Sequence, residues 1–237
     1  MKMELLWVTI LTFLIPVFCY AAKIPTNFSS TRQQFIQSLL TSAQQVNRKV
    51  MLERARTNSL YHEFLRRKTL SSTNMYWLRQ LADYYGIKQF NLSNQSLWKK
   101  LMRRIDIIPP SLVIAQAAYE SAWGYSRFAR EGYGYFGERC YTPGCGLVPR
   151  SRAARATFEV RRFASVVEAV TSYVHNLNTN SAYIQLRKMR EKQRVKHLQL
   201  HGEELAFGLE KYSAQQFYYV QAIRKIIKNY NLWQYDE

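Results

Sequence analysis

The chain has 237 residues, of which 47% are hydrophobic and 21% charged, enough apolar material for one or two packed domains and too much for a disordered chain. Its formal net charge of +18 points to a polyanionic partner. Nucleic acid, an anionic membrane surface and an acidic wall polymer are the classes to separate.

The first segment separates them. "MKMELLWVTILTFLIPVFCYAA", residues 1–22, places Lys2 ahead of an apolar run from Leu5 to Cys19, with small residues at Ala21 and Ala22. This is the order of a cleaved signal peptide, so the mature chain is expected to begin near Lys23, in the periplasm or secreted. Pro16 and the short run set it apart from a lasting span of about twenty apolar residues. A retained N-terminal anchor is the competing reading, although bulky Phe18 ahead of Cys19 does not suit a lipoprotein signal. Export argues against nucleic acid as the partner.

Residues 23–89 read as an N-terminal helical region. Phe35, Leu39, Ala43, Val46 and Val50 recur at three- and four-residue steps and give one apolar face. A second helix runs through Trp77, Leu81 and Tyr85 towards a stop at Gly86. The main domain is expected over 90–237, opening with a short helix and then Pro109–Pro110, which suit the first turn of the next. That next helix, Pro110 to Ser121, carries Leu112, Val113, Ile114, Ala115, Ala117 and Ala118 and leaves almost no solvated face. Such a helix is internal. Glu120 near its end is a charge that is expensive there unless it is paired or useful. A structural ion pair and a general acid with proton affinity raised by desolvation are both open at this point. The surrounding rings suit a sugar groove as well as a core.

A second short helix to about Arg130 precedes an irregular lobe with a hairpin over 132–160. Cys140 and Cys145 lie in "CYTPGC", where export and the Pro143–Gly144 turn predict a disulfide. Two cysteines are too few for a zinc site, and His62, His175, His197 and His201 show no ligand spacing around them. No metal and no cofactor is expected. Ser165 with Glu168 has capping-box spacing ahead of another helix. "LRKMREKQRVKHL" sets six Lys/Arg against one Glu. It reads as a solvated helix face able to help hold an anionic envelope surface. The last helix is expected through Phe217, Val220, Ile223 and Ile227.

From about Phe35 to Tyr230 the chain resembles the Bax-like proteins of Gram-negative bacteria. Residues "IPPSLVIAQAAYESAWGYSRFAREGYGYFGERCYTPGCGLVP" look like the opening of the bacterial glucosaminidase domain. That domain is similar to the muramidase part of the flagellar rod-assembly protein and to autolysin glucosaminidases. The pattern A-Q-x-x-x-E-S-x-W-G stands here as Ala115–Gln116, Glu120–Ser121 and Trp123–Gly124. The family loop N-x-F-G survives as Phe136–Gly137 with Tyr135 ahead of it. Phe163, Ser165, Glu168 and Ala169 match a strand followed by a Ser-initiated helix. The late Y-A-T-D-P-x-Y stretch stands as "YSAQQFY", with Ala214, Gln215 and Gln216 in place of T-D-P.

The resemblance implies a mainly α, lysozyme-like glucosaminidase domain with a small irregular β-hairpin lobe and an N-terminal helical extension. It implies peptidoglycan glycan strands as substrate, Glu120 as general acid, and an active-site tyrosine at Tyr218. Tyr135 and Phe136 would form the cleft wall. Trp123 would hold the helix end, and Gln116, one turn before Glu120, would bond its carboxylate. The family's second carboxylate has no clear counterpart, because "LVPRSRAARAT" offers arginines and no acid. Glu159 is the nearest candidate, alongside Glu138. Strand alternation puts Glu159 opposite Phe158 and Val160, as a surface charge among arginines unless that face lines the cleft. A lytic transglycosylase is one alternative, and a non-catalytic wall-binding envelope protein is the other.

Overall fold

The computed structural model describes residues 32–236. The expected signal peptide and the mature start near Lys23 lie outside the described residues. No helix among them is long and apolar enough to cross a membrane.

The chain is mainly helical with one small antiparallel sheet, as the resemblance implies. Helix α1 (Arg32–Arg67) is long, and Phe35, Leu39, Ala43, Val46, Val50 and Leu60 are buried along one side. Helix α2 (Ser72–Tyr84) opens on the Ser71 side chain, which accepts from the Asn74 N–H, and the turn after it ends at Gly86 with φ +70°. Helix α3 (Gln95–Arg104) leads to α4 (Pro110–Ser121), whose residues from Pro110 to Ala118 are all buried. Helix α1 packs against α4 and against α6 (Val166–Thr179), so its apolar face closes over the helix that carries Glu120.

The start of α4 has no side-chain cap of its own, because Pro109 occupies that position. The cap comes from the other end of the chain. Asp236 accepts from the Ser111 N–H at 2.9 Å, the Ser111 hydroxyl at 2.5 Å and the Gly202 N–H at 2.8 Å. A carboxylate at a helix N-terminus meets the positive end of the helix dipole and satisfies otherwise orphaned donors. Gly202 permits this approach, since a Cβ there would sit 2.1 Å from the Ser111 hydroxyl.

After α5 (Arg127–Gly132), strands β1 (Arg139–Cys140), β2 (Gly146–Leu147) and β3 (Glu159–Arg161) form a sheet in the order β1-β3-β2. Cys140 and Cys145 are joined by a disulfide with Cα atoms 6.2 Å apart, bridging the turn between β1 and β2. We expect both thiols of native protein to resist alkylation until reductant is added. Intact-mass measurement checks this, and two freely alkylated thiols without reductant would contradict it.

Helix α6 begins as Ser165 and Glu168 predict: the Ser165 hydroxyl accepts from the Glu168 N–H at 3.1 Å, and the Glu168 carboxylate accepts from the Ala164 N–H at 2.7 Å. Helix α7 (Ile184–Val195) departs from expectation. Its basic run is not simply a solvated face, because Arg187 and Arg190 are buried. Arg187 donates to the carbonyls of Leu177 and Asn180, and Arg190 to those of Arg103, Asp106 and Ile107. A short helix α8 (Gly202–Leu205) and a 3₁₀ segment, Ala206–Tyr212, lead to α9 (Gln216–Asn229), which packs on α4.

Candidate active site

Glu120 stands in the last turn of α4, which Ala122 ends in the left-handed conformation at φ +50°. The carboxyl is half-buried. Gly137 of the Phe–Gly loop faces it: a Cβ added there would lie 3.8 Å from Glu120 Oε2. Gly137 also has φ +64°, so glycine serves both the backbone and the open space.

Tyrosines gather around this carboxyl. Tyr219, on α9, is fully buried beside this carboxyl. Its ring stacks on Tyr212, with centroids 5.4 Å apart and planes 6° apart, and meets Tyr119 edge-on at 5.2 Å. Gln116 Nε2 donates to the Tyr219 hydroxyl at 2.8 Å, and the Tyr173 hydroxyl donates to Gln116 Oε1. Tyr173 stacks on Phe136 with centroids 4.1 Å apart. The Tyr212 hydroxyl donates to the Phe136 carbonyl at 2.9 Å.

The electrostatics follow from this packing. Burial raises the Glu120 carboxyl above its ordinary value, and the nearby Tyr219 hydroxyl offsets part of the rise. Burial, with neighbouring tyrosines and Glu120 adding to it, also pushes the hydroxyls of Tyr219 and Tyr212 upward, so both stay neutral donors at any working pH. No cation pairs with Glu120 among the ion pairs of the described residues. A half-buried carboxyl whose proton affinity is raised in this way is suited to deliver a proton to a bound molecule.

The expected partners are not all where the sequence put them. The tyrosine packed beside Glu120 is Tyr219, the neighbour of Tyr218. Tyr218 is 77% exposed, and its ring meets that of Phe217 at 6.0 Å. Helical periodicity carried the signal: Tyr219, Ile223 and Ile227 recur every four residues and are all buried, whereas Phe217 points to solvent. Gln116 is fully buried and bonds Tyr219 and Tyr173 in place of Glu120. Tyr135 and Phe136 do not form an exposed wall. Tyr135 is buried edge-on against Phe35 at 5.9 Å, and Phe136 lies under Tyr173. Trp123 packs between Phe35 and Tyr230, with the Arg32 guanidinium 5.5 Å from its ring centre, which fits a residue holding the helix end. Tyr173 went unrecognised, because nothing local in sequence marks it beyond an apolar ring on a helix, and Tyr212 entered only as the first residue of "YSAQQFY", with no role attached.

Glu159 also departs from expectation. It is not an exposed strand charge but buried, and its carboxylate accepts from the Gly144 N–H at 3.0 Å and the Gly146 N–H at 2.7 Å. Those two backbone donors hold it below its ordinary value. Gly146 must be glycine, since a Cβ would fall 1.9 Å from the Val160 carbonyl oxygen. Cys140, Cys145 and Glu159 present ligand-type atoms within 4.8 Å of one another, but both sulfurs are consumed by the disulfide. Glu138 is engaged as well, by the Ser172 hydroxyl at 2.7 Å and Arg161 at 3.2 Å.

A family model described as mannosyl-glycoprotein endo-beta-N-acetylglucosaminidase, the glucosaminidase family, matches residues 95–232. The chain is 34% identical over 138 residues to Protein bax of Escherichia coli (strain K12), covering 58% of this chain and 48% of that protein. It therefore spans about half the length of the curated relative it matches. No solved structure matches the chain. The family match takes in α3 through the end of α9 and includes Glu120, Gly137, Tyr173 and Tyr219, so the protein belongs to the glucosaminidase family.

Proposed function

We propose that the protein cleaves β-1,4 glycosidic bonds of peptidoglycan glycan strands, in the manner of an endo-β-N-acetylglucosaminidase, with Glu120 as general acid. The observation that carries this reading is the half-buried carboxyl at the end of an apolar helix, raised by burial and facing the open space left by Gly137. Glu120 gives its proton to the glycosidic oxygen as the C–O bond breaks and the sugar acquires positive character; water then adds to the anomeric carbon and loses a proton, which restores the acid. The nearby Tyr219 hydroxyl stabilises the carboxylate between these two steps. The chemistry falls within 90–237, and the helical region over 23–89 supports it through α1. The basic charge favours approach to an anionic envelope polymer.

The test is digestion of purified peptidoglycan by the mature protein, with new chain ends identified by mass spectrometry. New reducing ends support the hydrolase. Undigested glycan with protein bound to it would support the non-catalytic envelope protein. The engagement of Glu159 and Glu138 by their own partners favours a lytic transglycosylase as second reading, since that reaction needs a single carboxyl group; anhydromuramic ends would identify it. Glu159→Gln is expected to lower glycan release far less than Glu120→Gln, because its carboxylate ties the disulfide turn to β3. Steady-state kinetics on defined glycan oligomers checks this, and equal losses in two folded variants would make Glu159 the missing partner.

Export completes the reading. N-terminal sequencing of protein recovered outside the cytoplasm is expected to start near Lys23, and an intact Met1 in a soluble cytoplasmic pool would overturn it.

A further inference from the structure

We infer that the cavity between α5 and the turn after β2 is a carboxylate site, in which Arg130 and Arg150 hold acidic groups of the peptides attached to the glycan. The inference rests on peptidoglycan being the substrate, and it adds that peptide-bearing strands are the preferred form. Its basis is the charge of the β lobe together with the walls of this one cavity.

Residues 127–162 contain eight arginines, three glutamates, and no lysine or aspartate. All three glutamates are engaged. The Gly144 and Gly146 amides hold Glu159, Arg161 and Ser172 hold Glu138, and Arg127 meets Glu131 at 3.4 Å. Arg130 and Arg150 enter no ion pair among the described residues. Both are exposed, and both line a single cavity of about 360 Å³.

The frame of that cavity is fixed. Arg127, one turn before Arg130 and on the same side of α5, donates to the Val148 carbonyl at 2.6 Å and lies 4.9 Å from the Phe128 ring centre. It therefore ties α5 to the segment that carries Arg150. The Gly134 N–H donates to the Phe128 carbonyl at 2.9 Å, so the loop that runs on to Gly137, opposite Glu120, hangs from the same helix.

The residue types choose the ligand. A guanidinium is a planar fork that meets a carboxylate through two parallel bonds, where a lysine supplies only a point charge. Phe128 and Pro149 add apolar walls, and Ser151 adds a hydroxyl. Apolar walls beside free guanidinium groups suit an acidic amino acid, with its methylenes on the ring and its carboxylate on the fork. The volume lies at the lower end of the about 300–1,000 Å³ of small-ligand sites, so it admits a short projecting segment and not a flat lipid surface. Peptides with free carboxylates branch from peptidoglycan strands, and a strand seated at Glu120 would bring them to this lobe.

The test compares kcat/KM on glycan oligomers with their peptides intact and on the same oligomers stripped of peptide by an amidase. The full mature chain should favour the peptide-bearing form by about tenfold, a modest figure for hydrogen bonds to charged groups. The double variant Arg130→Gln with Arg150→Gln should lose that preference through KM, as for binding away from the reacting bond. Arg66→Gln with Arg67→Gln removes the same charge from the exposed end of α1 and should keep the preference. The released acidic peptide, followed by NMR, should bind the wild type and not the double variant, and its carboxamide form should bind neither.

A wild type without preference, or a folded double variant that keeps it, would overturn the inference. So would an equal loss in the Arg66 and Arg67 variant, which would mark general charge attraction. Inorganic phosphate or phosphatidylglycerol vesicles binding at Arg130 and Arg150, with the peptide unbound, would make this a phosphate site and overturn it too. Failure of the catalytic reading looks different: neither oligomer would be cut, and peptide binding that disappears in the double variant would still establish the carboxylate site.

Discussion

Glu120→Gln should abolish glycan release from purified peptidoglycan while leaving the protein as stable at neutral pH as the wild type, or slightly more so. The substitution keeps size and hydrogen-bonding reach and removes the transferable proton. Loss of a general acid typically lowers rate by about 10²–10⁴. The stability half of the expectation follows from the sign of the shift. Burial raises the Glu120 carboxyl, with Tyr219 opposing it, so the folded state binds that proton more tightly than the unfolded chain. Ionisation of Glu120 therefore takes stability away as pH rises from the unfolded value, about 4.3, through the raised folded value. A glutamine has no such loss, so the variant should gain on the wild type across that window. A structural ion-pair member would behave in the opposite way, since breaking a buried pair costs about 3–5 kcal/mol. Thermal unfolding and glycan release measured on one preparation separate the two. Wild-type turnover in a folded Glu120→Gln protein would end the assignment.

Much of this arrangement was legible because it is local. The apolar steps from Phe35 to Val50, the prolines at 109 and 110, the unbroken apolar face of α4 and the Ser165–Glu168 cap each involve residues within a few turns of one another. Glu120 was legible for the same reason, as a charge at the end of a helix with no solvated side. The tyrosine buried beside it is the neighbour of the one the family pattern marks. Counting from a family pattern lands on Tyr218, whereas counting back from Ile227 and Ile223 in steps of four lands on Tyr219, the residue that faces α4. Gln116 illustrates a different limit. Helical spacing puts it near Glu120, but its bonds go to Tyr173 and Tyr219, which lie 57 and 103 residues away. Glu159 failed because strand alternation assumes a solvent-facing side, and the disulfide turn folds over that side. Long-range closure of this kind leaves no mark within a window of sequence.

The buried arginines of α7 lead to the other large effect. Asp106 is 2% exposed and lies in the connection between α3 and α4. Its carboxylate meets Arg194 at 2.9 Å, Arg54 at 3.5 Å and Arg190 at 3.7 Å, so α1 and α7 are tied to the start of α4 through one acid. Asn178 of α6 adds a bond to its carbonyl at 2.9 Å. Burial alone would raise the Asp106 carboxyl, but Arg190, Arg194 and Arg54 outweigh it and hold it below its ordinary value. Burial draws Arg190 down to about 10, which leaves it charged at neutral pH. Asp106→Asn should therefore cost about 3–5 kcal/mol, because guanidinium groups are left together without their counter-charge. For a chain of this length that is a fall in Tm of about 6–20 °C. The pH dependence has the opposite sign to that of Glu120. A depressed carboxyl contributes stability that is complete above the unfolded value, about 3.9, and is lost as pH falls through the lower folded value. The gap between wild type and Asp106→Asn should accordingly be widest near neutrality and close below about pH 4. Thermal unfolding at several pH values checks both magnitude and sign. A loss no larger than about 0.5 kcal/mol, as for an ordinary surface change, would mean that the backbone carbonyls around Arg190 hold α7 in place without Asp106.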